Sequence, residues 1–133
     1  MLKRLRYTIG FFSWMAIITL LSLVSFPDDD TPGMDIPHLD KAVHFTFYFL
    51  AALLGCFFLR EQTRGGIPIK RAMVIMTISV VLYGIVIEVI QSVFTTERSG
   101  DFYDVLANSF GAFTGAAILK FLFSAKRQLK WKI

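Results

Sequence analysis

Long apolar stretches alternate with short polar segments along the whole chain. Four of these stretches approach the roughly 20 apolar residues that a helix needs to cross the hydrocarbon core of a bilayer. They cover residues 7–26, 42–59, 72–94 and 105–123. The pattern therefore predicts an all-α integral membrane protein, with four transmembrane helices packed as a bundle in a single domain over residues 1–133.

The first stretch also has features of a signal peptide, because it follows Lys3, Arg4 and Arg6. It is longer than the usual apolar region of a signal peptide, however. The sequence Val-Ser-Phe at 24–26 is also a poor match to a cleavage site of small residues. We therefore expect a helix that is retained in the mature protein.

The composition agrees with a membrane location. Hydrophobic residues make up 55% of the chain and charged residues only 18%, with a mean hydropathy of +0.59, which is too apolar for an ordinary small soluble domain. The net charge of +4 comes from basic residues beside the apolar stretches, without the basic and aromatic face of a nucleic-acid-binding protein. A single cysteine, Cys56, excludes an intramolecular disulfide.

The charged residues predict how the chain is oriented. All fourteen Lys and Arg residues except Lys41 and Arg98 fall in the N-terminal tail, the second loop and the C-terminal end. All ten acidic residues except Glu61 and Glu88 fall in the first and third loops. Because cytoplasmic segments of membrane proteins carry an excess of Lys and Arg, we expect both termini to be cytoplasmic and the two acidic loops to face outward.

Polar residues enter three of the apolar stretches near their predicted outer ends. They are Asp40, Lys41 and His44 of the second helix, Glu88 and Gln91 of the third, and Asp101, Asp104 and Asn108 of the fourth, with Arg98 in the preceding loop. At 100° per residue, the polar residues of each helix apart from Lys41 lie on one stripe, and Tyr48 shares the stripe of Asp40 and His44. Because an unpaired polar group facing lipid is costly, the three stripes should face the bundle interior and form one cluster.

Glu88 is a functional candidate by default, because a carboxyl group inside a membrane helix is rare without a role. A titrating Glu88 could act as a general acid or base, with His44 as its proton partner. A paired Glu88 would instead fix Arg98 for contact with an anionic head group. The structural alternative is an ion pair of Glu88 with Arg98, His44 or Lys41.

Other residues of the cluster also have structural alternatives. Asp40 suits the N-cap of the second helix, and Lys41 suits an anchor at the membrane interface. Tyr48 and Tyr103 suit the aromatic belt that membrane proteins place near the head groups.

Metal and cofactor sites are not predicted. His44, Glu88, Asp101 and Asp104 have the ligand types of a divalent-metal site, but one imidazole with scattered carboxylates is unspecific. The chain has no P-loop, GxSxG, HExxH or paired CxxC motif. We therefore expect no metal and no other cofactor.

Gly111 and Gly115 form a GxxxG motif in the fourth helix. Small residues at this spacing let another helix approach closely. Packing within the chain is the favoured interpretation, and self-association into a homo-oligomer is the alternative.

The segments "DKAVHFTFYFLAALL" and "EVIQSVFTTERSGDFYDVLANSFGAFTG" together resemble the VanZ-like family. The shared elements are Asp-Lys-x-x-His-Phe, then Glu-x-x-Gln, then Arg-x-x-Asp-x-x-Asp-x-x-x-Asn with trailing glycines. In this chain they are Asp40, Lys41, His44 and Phe45, then Glu88 and Gln91, then Arg98, Asp101, Asp104, Asn108, Gly111 and Gly115.

The resemblance implies a small multi-pass protein of the bacterial cytoplasmic membrane, related to one that gives low-level resistance to the lipoglycopeptide teicoplanin. It also implies that the polar residues are the functional site, without naming a reaction.

Three hypotheses follow. The favoured one is a non-enzymatic protein whose outward-facing polar pocket binds an anionic amphiphile, either a lipid-linked cell-wall precursor or a lipoglycopeptide. In this hypothesis Arg98 and Lys41 hold its phosphate or carboxylate. The first alternative is a membrane enzyme that modifies such a lipid, with Glu88 as acid or base and His44 as proton partner. The second is a structural or assembly subunit in which the polar residues only stabilise the bundle.

Overall fold

The computed structural model of the chain describes residues 5–23, 39–94, 102–123 and 131. These residues form four helices: α1 (Arg6–Leu23), α2 (Leu39–Gln62), α3 (Ile69–Phe94) and α4 (Phe102–Leu122), and they include no strand. Each helix is long enough and apolar enough to cross a membrane. The predicted all-α architecture with four membrane-spanning helices is confirmed.

The helices α2 and α4 each begin three residues before the apolar stretch predicted from the sequence, because their first turns include charged residues. Asp40 lies in the first turn of α2 and Asp104 in the first turn of α4. Arg60 and Lys120 lie in the last turns of the same two helices. Each charge has the sign that interacts favourably with the macrodipole at its helix end.

The end of α2 is defined by a left-handed turn. Arg64 and Gly65 have φ angles of 50° and 77°, and the Gly65 amide donates a hydrogen bond to the Arg60 carbonyl at 2.8 Å. This arrangement commonly terminates a helix, and glycine adopts it without steric cost. The short turn leads directly into α3, which therefore returns across the bundle.

Polar contacts of α1 establish how it runs relative to its neighbours. At its start, the amides of Tyr7 and Thr8 donate to the Glu61 carboxylate at the end of α2, at 3.3 and 2.8 Å. At its end, the carbonyl of Ser22 accepts a hydrogen bond from Gln91 near the end of α3, at 2.5 Å. Hence α1 is antiparallel to α2 and parallel to α3.

The helices α2 and α4 run parallel and make the most extensive helix contact of the described residues. Gly111 and Gly115 of α4 lie against the backbone of Phe45 and Phe49 in α2. A Cβ atom at Gly115 would lie 2.7 Å from the Phe49 carbonyl oxygen, and one at Gly111 would overlap the carbonyl of Phe45. The GxxxG motif therefore faces α2 of the same chain.

Small residues are fully buried at several points inside the bundle, and many large apolar side chains lie on its exterior. Small side chains such as Ala51, Ala52 and Ala112 are fully buried, which lets the helices approach closely. Large apolar side chains such as Phe94 and Phe110 are exposed. Exposure of large apolar side chains on every helix suits a lipid environment, because lipid tails solvate these groups as water does not.

The two ends of the bundle also differ in charge. We call the end formed by the end of α1, the start of α2, the end of α3 and the start of α4 the polar end. The opposite end carries Arg6, Arg60, Arg64, Lys70 and Arg71, and we call it the basic end. Because the helices alternate in direction, the start of α1 and the end of α4 lie at the same end.

The side of the membrane that each end faces stays a prediction, in which the basic end is cytoplasmic. A reporter enzyme that works only in the cytoplasm, fused after Ile133, is therefore expected to be active. Activity restricted to a reporter that works only outside the membrane would contradict this orientation.

Candidate functional site

Three helices bring most of the predicted site residues together at the polar end. We call this group the polar cluster; it consists of Asp40, Lys41 and His44 of α2, Glu88 of α3, and Asp104 and Asn108 of α4. The predicted site residues Arg98 and Asp101 lie outside the described residues. Gln91 is buried nearby, and its amide donates to the Ser22 carbonyl of α1.

His44 is at the centre of the buried part of the cluster. Its Nδ1 lies 3.0 Å from Oδ1 of Asn108, and Nδ2 of Asn108 donates to Oε1 of Glu88 at 3.5 Å. Because the amide nitrogen of Asn108 faces a carboxylate, its oxygen faces the imidazole, so Nδ1 of His44 is the donor. This chain of hydrogen bonds fixes the orientation of the imidazole ring.

Lys41 joins the carboxylates at the starts of α2 and α4. Its Nζ lies 3.2 Å from Oδ2 of Asp40 and forms a salt bridge with Oδ1 of Asp104. The other oxygen of each carboxylate faces Nε2 of His44, at 3.6 Å for Asp40 and 3.8 Å for Asp104. Both of these distances are too long for hydrogen bonds.

Negative groups outnumber positive ones in the described part of the cluster. Asp40, Glu88 and Asp104 are acidic, whereas Lys41 is the cation and His44 is charged only when protonated. Buried carboxylates are stabilised only when hydrogen bonds or cations compensate for lost hydration. The cluster is therefore suited to bind a cation directly, and it binds an anion only with additional positive charge.

A cavity of about 360 Å³ lies between α1 and α2, next to the polar cluster. Its volume is within the range of small-molecule sites. The residues that line it are Leu21 and Ser22 of α1 and Leu39, Asp40, Val43, His44 and Phe47 of α2. Most of this surface is apolar, and the polar part belongs to the cluster. The cavity can therefore accept an apolar group that is attached to a polar one.

The contribution of α1 to this region was not predicted from the sequence. Leu21 and Ser22 line the cavity, and Ser22 also accepts the hydrogen bond from Gln91. The available signal was weak, because α1 has no ionisable residue after Tyr7. The aromatic-belt interpretation is also wrong for Tyr48, which is 1% exposed inside the bundle, whereas Tyr103 is 67% exposed.

The four-helix bundle and its polar cluster can be compared with known proteins. A family model described as VanZ/LLP1 matches residues 3–123. The chain belongs to the VanZ-like family. The match includes all four helices and the whole polar cluster, so the resemblance predicted from the sequence is confirmed. A search of curated proteins and a search of solved structures give no match.

The motif of this VanZ-like protein is thus a spatial unit as well as a sequence pattern. Its first element supplies Lys41 and His44, its second supplies Glu88, and its third supplies Asp104 and Asn108. The trailing glycines then hold α4 against α2, which carries the first element. The spacing of the motif is what brings acid, base and imidazole to one depth.

Proposed function

We propose that this VanZ-like protein binds an anionic amphiphile, either a lipid-linked cell-wall precursor or a lipoglycopeptide. The part of the tail next to the head group occupies the cavity between α1 and α2, and the head group lies at the polar cluster. The observation that carries the proposal is the cavity itself, whose apolar walls at Leu21, Val43 and Phe47 adjoin Asp40 and His44. Burial of apolar tail surface there contributes about 25 cal/mol per Å².

Positive charge for the head group comes from Lys41 and from Arg98. The Lys41 side chain is 29% exposed at the mouth of the cluster, so a phosphate or carboxylate can reach its ammonium group. Arg98 takes its part in the proposal from the sequence, since it lies outside the described residues.

The proposed setting is the bacterial cytoplasmic membrane, with the polar end facing outward. A lipid-linked precursor displayed on the outer leaflet then has its head group at the depth of the cluster. Binding of such a precursor, or of the antibiotic itself, would account for the low-level teicoplanin resistance that the family resemblance implies.

Filling the cavity is expected to weaken binding. The substitution Val43→Trp places a large side chain where the tail would lie, and we expect it to lower the affinity for a polyprenyl phosphate about tenfold, equal to about 1.4 kcal/mol. The measurement is a binding titration of the purified protein in detergent, using a radiolabelled polyprenyl phosphate.

The matched control is Val89→Trp on α3. Val89 is also near the polar end, but it is 56% exposed and does not line the cavity. The control should keep the wild-type affinity. An unchanged affinity of Val43→Trp, or an equal loss in the control, would contradict binding in the cavity.

A second candidate function is chemical modification of the bound lipid, which the orientation of His44 favours. Its imidazole lines the cavity and is held by Asn108 and Glu88, as a general acid or base must be. The binding experiment also distinguishes the two functions. After incubation with the protein, the polyprenyl phosphate is recovered and its mass is measured by mass spectrometry. If the mass of the lipid changes with the wild-type protein but not with Glu88→Gln, the protein is a catalyst. If the mass does not change with the wild-type protein, the protein only binds the lipid.

A further inference from the structure

Three donor groups from two helices converge at the start of α2 and α4. They belong to Asp40, His44 and Asp104, and one donor atom from each lies within 4.8 Å of one from each of the others. We propose that these three residues bind a divalent transition-metal ion, Zn²⁺ or Mn²⁺. Two of these ligands, Asp40 and His44, also line the cavity, but the metal proposal does not depend on lipid binding.

Two of the donor distances within the group are close to those around a shared ion. Donor atoms that bind one Zn²⁺ at about 2.0–2.2 Å in tetrahedral geometry lie about 3.3–3.6 Å from each other. Nε2 of His44 lies 3.6 Å from Oδ1 of Asp40 and 3.8 Å from Oδ2 of Asp104. A small inward movement of the side chains brings these atoms to metal-ligand spacing.

The salt bridges of Lys41 use the other oxygen of each carboxylate. Its ammonium group contacts Oδ2 of Asp40 and Oδ1 of Asp104, which are the oxygens that face away from the imidazole. Each carboxylate therefore has one oxygen held by Lys41 and the other oxygen beside Nε2 of His44. In metal sites, a group that contacts the second oxygen of a carboxylate ligand, as Lys41 does here, holds that ligand in orientation.

The hydrogen bond on the far side of the imidazole is independent support. Histidine ligands usually donate their second ring N–H to a carboxylate or carbonyl oxygen, which fixes the tautomer. Here Nδ1 of His44 donates to Oδ1 of Asn108, whose amide is oriented by Glu88. On the other side of the ring, Nε2 faces Oδ1 of Asp40 and Oδ2 of Asp104, and a cation between these three atoms would bind all of them.

The donor set selects the kind of ion. Imidazole with carboxylates suits Zn²⁺ and Mn²⁺, whereas Ca²⁺ and Mg²⁺ prefer oxygen ligands throughout. Three protein ligands leave at least one coordination position open. Asp40 and His44 line the cavity, so the open position is accessible to an oxygen of a phosphate or carboxylate. The ion also supplies the positive charge that the acid-rich cluster lacks.

Metal binding is tested on the full-length protein, purified in detergent and treated with a chelator. Zn²⁺ and Mn²⁺ are each titrated without lipid, and bound metal is measured by equilibrium dialysis and elemental analysis. We expect one ion per chain and an affinity at least about tenfold lower in Asp104→Asn and in His44→Gln. The thermal midpoint of the wild type should also rise with added metal, since the ion binds the folded state.

The matched control is Glu61→Gln, which removes one carboxylate at the basic end. It should bind metal as the wild type does, and size-exclusion chromatography shows whether each variant is folded. If the wild type binds neither Zn²⁺ nor Mn²⁺, the proposal is overturned whatever the variants do. Equal binding by wild type, Asp104→Asn and His44→Gln would also overturn it, whatever the lipid experiment shows.

Discussion

Replacing Gly111 by alanine is expected to destabilise the bundle by about 3 kcal/mol, as overpacking of a tight interior does. The added Cβ atom would overlap the carbonyl group of Phe45. This group is part of the α2 backbone, so it moves only if the two helices separate. Separation would also pull Asp104 away from Lys41.

The matched control is Gly10→Ala in α1. The nearest atom to an added Cβ there is Cδ2 of Leu54, at 3.9 Å, which is an ordinary van der Waals contact. Alanine favours a helix over glycine by about 0.5–1 kcal/mol, so this variant should be as stable as the wild type or slightly more stable. Thermal unfolding in detergent measures both variants, and equal midpoints for them would contradict the close packing of α2 and α4.

The number and type of the helices could be predicted because a bilayer restricts the structure of a chain so strongly. Each backbone polar group must be satisfied within the membrane, so length and apolar composition almost determine the element. The ends were less predictable. α2 begins at Leu39 and α4 at Phe102, because Asp40 and Asp104 belong to the first helical turn although they interrupt the apolar pattern.

The burial of the central residues of the polar cluster was predictable from helical periodicity. One stripe per helix must face the interior, and His44, Glu88 and Asn108 lie on these stripes and are buried. The pairing of their atoms was not predictable, because it depends on the close approach of α2 and α4. The sequence grouped Glu88 with the metal-ligand types and omitted Asp40. The geometry places Asp40 beside Nε2 of His44, where Asp104 also lies, and Glu88 beside Nδ1 on the other side of the ring.

The cavity also could not be predicted from the sequence. It depends on the distance between α1 and α2, and α1 carries no residue that distinguishes it from any other apolar helix. At its two ends, α1 is hydrogen-bonded to Glu61 of α2 and to Gln91 of α3. Each contact joins residues far apart in the chain, so neither is visible in a local pattern.

Replacing Asn108 by leucine is expected to cost about 2–4 kcal/mol, because two buried polar groups lose a hydrogen-bond partner at once. Asn108 is 1% exposed and contacts both Nδ1 of His44 and Oε1 of Glu88. Leucine has the same branching and the same number of side-chain heavy atoms as asparagine, so the substitution leaves no cavity. The measurement is the thermal midpoint of the purified variant in detergent.

The control for this substitution is Ser109→Ala at the next position of α4. The Ser109 hydroxyl donates to the Val105 carbonyl of its own helix, at 2.8 Å, and contacts no residue of the cluster. We expect a change within about 0.5 kcal/mol. If Asn108→Leu is no less stable than this control, the hydrogen bonds that hold His44 contribute little to the folded state. The imidazole would then be free to turn, and both the metal site and catalysis by His44 would lose the fixed geometry on which they depend.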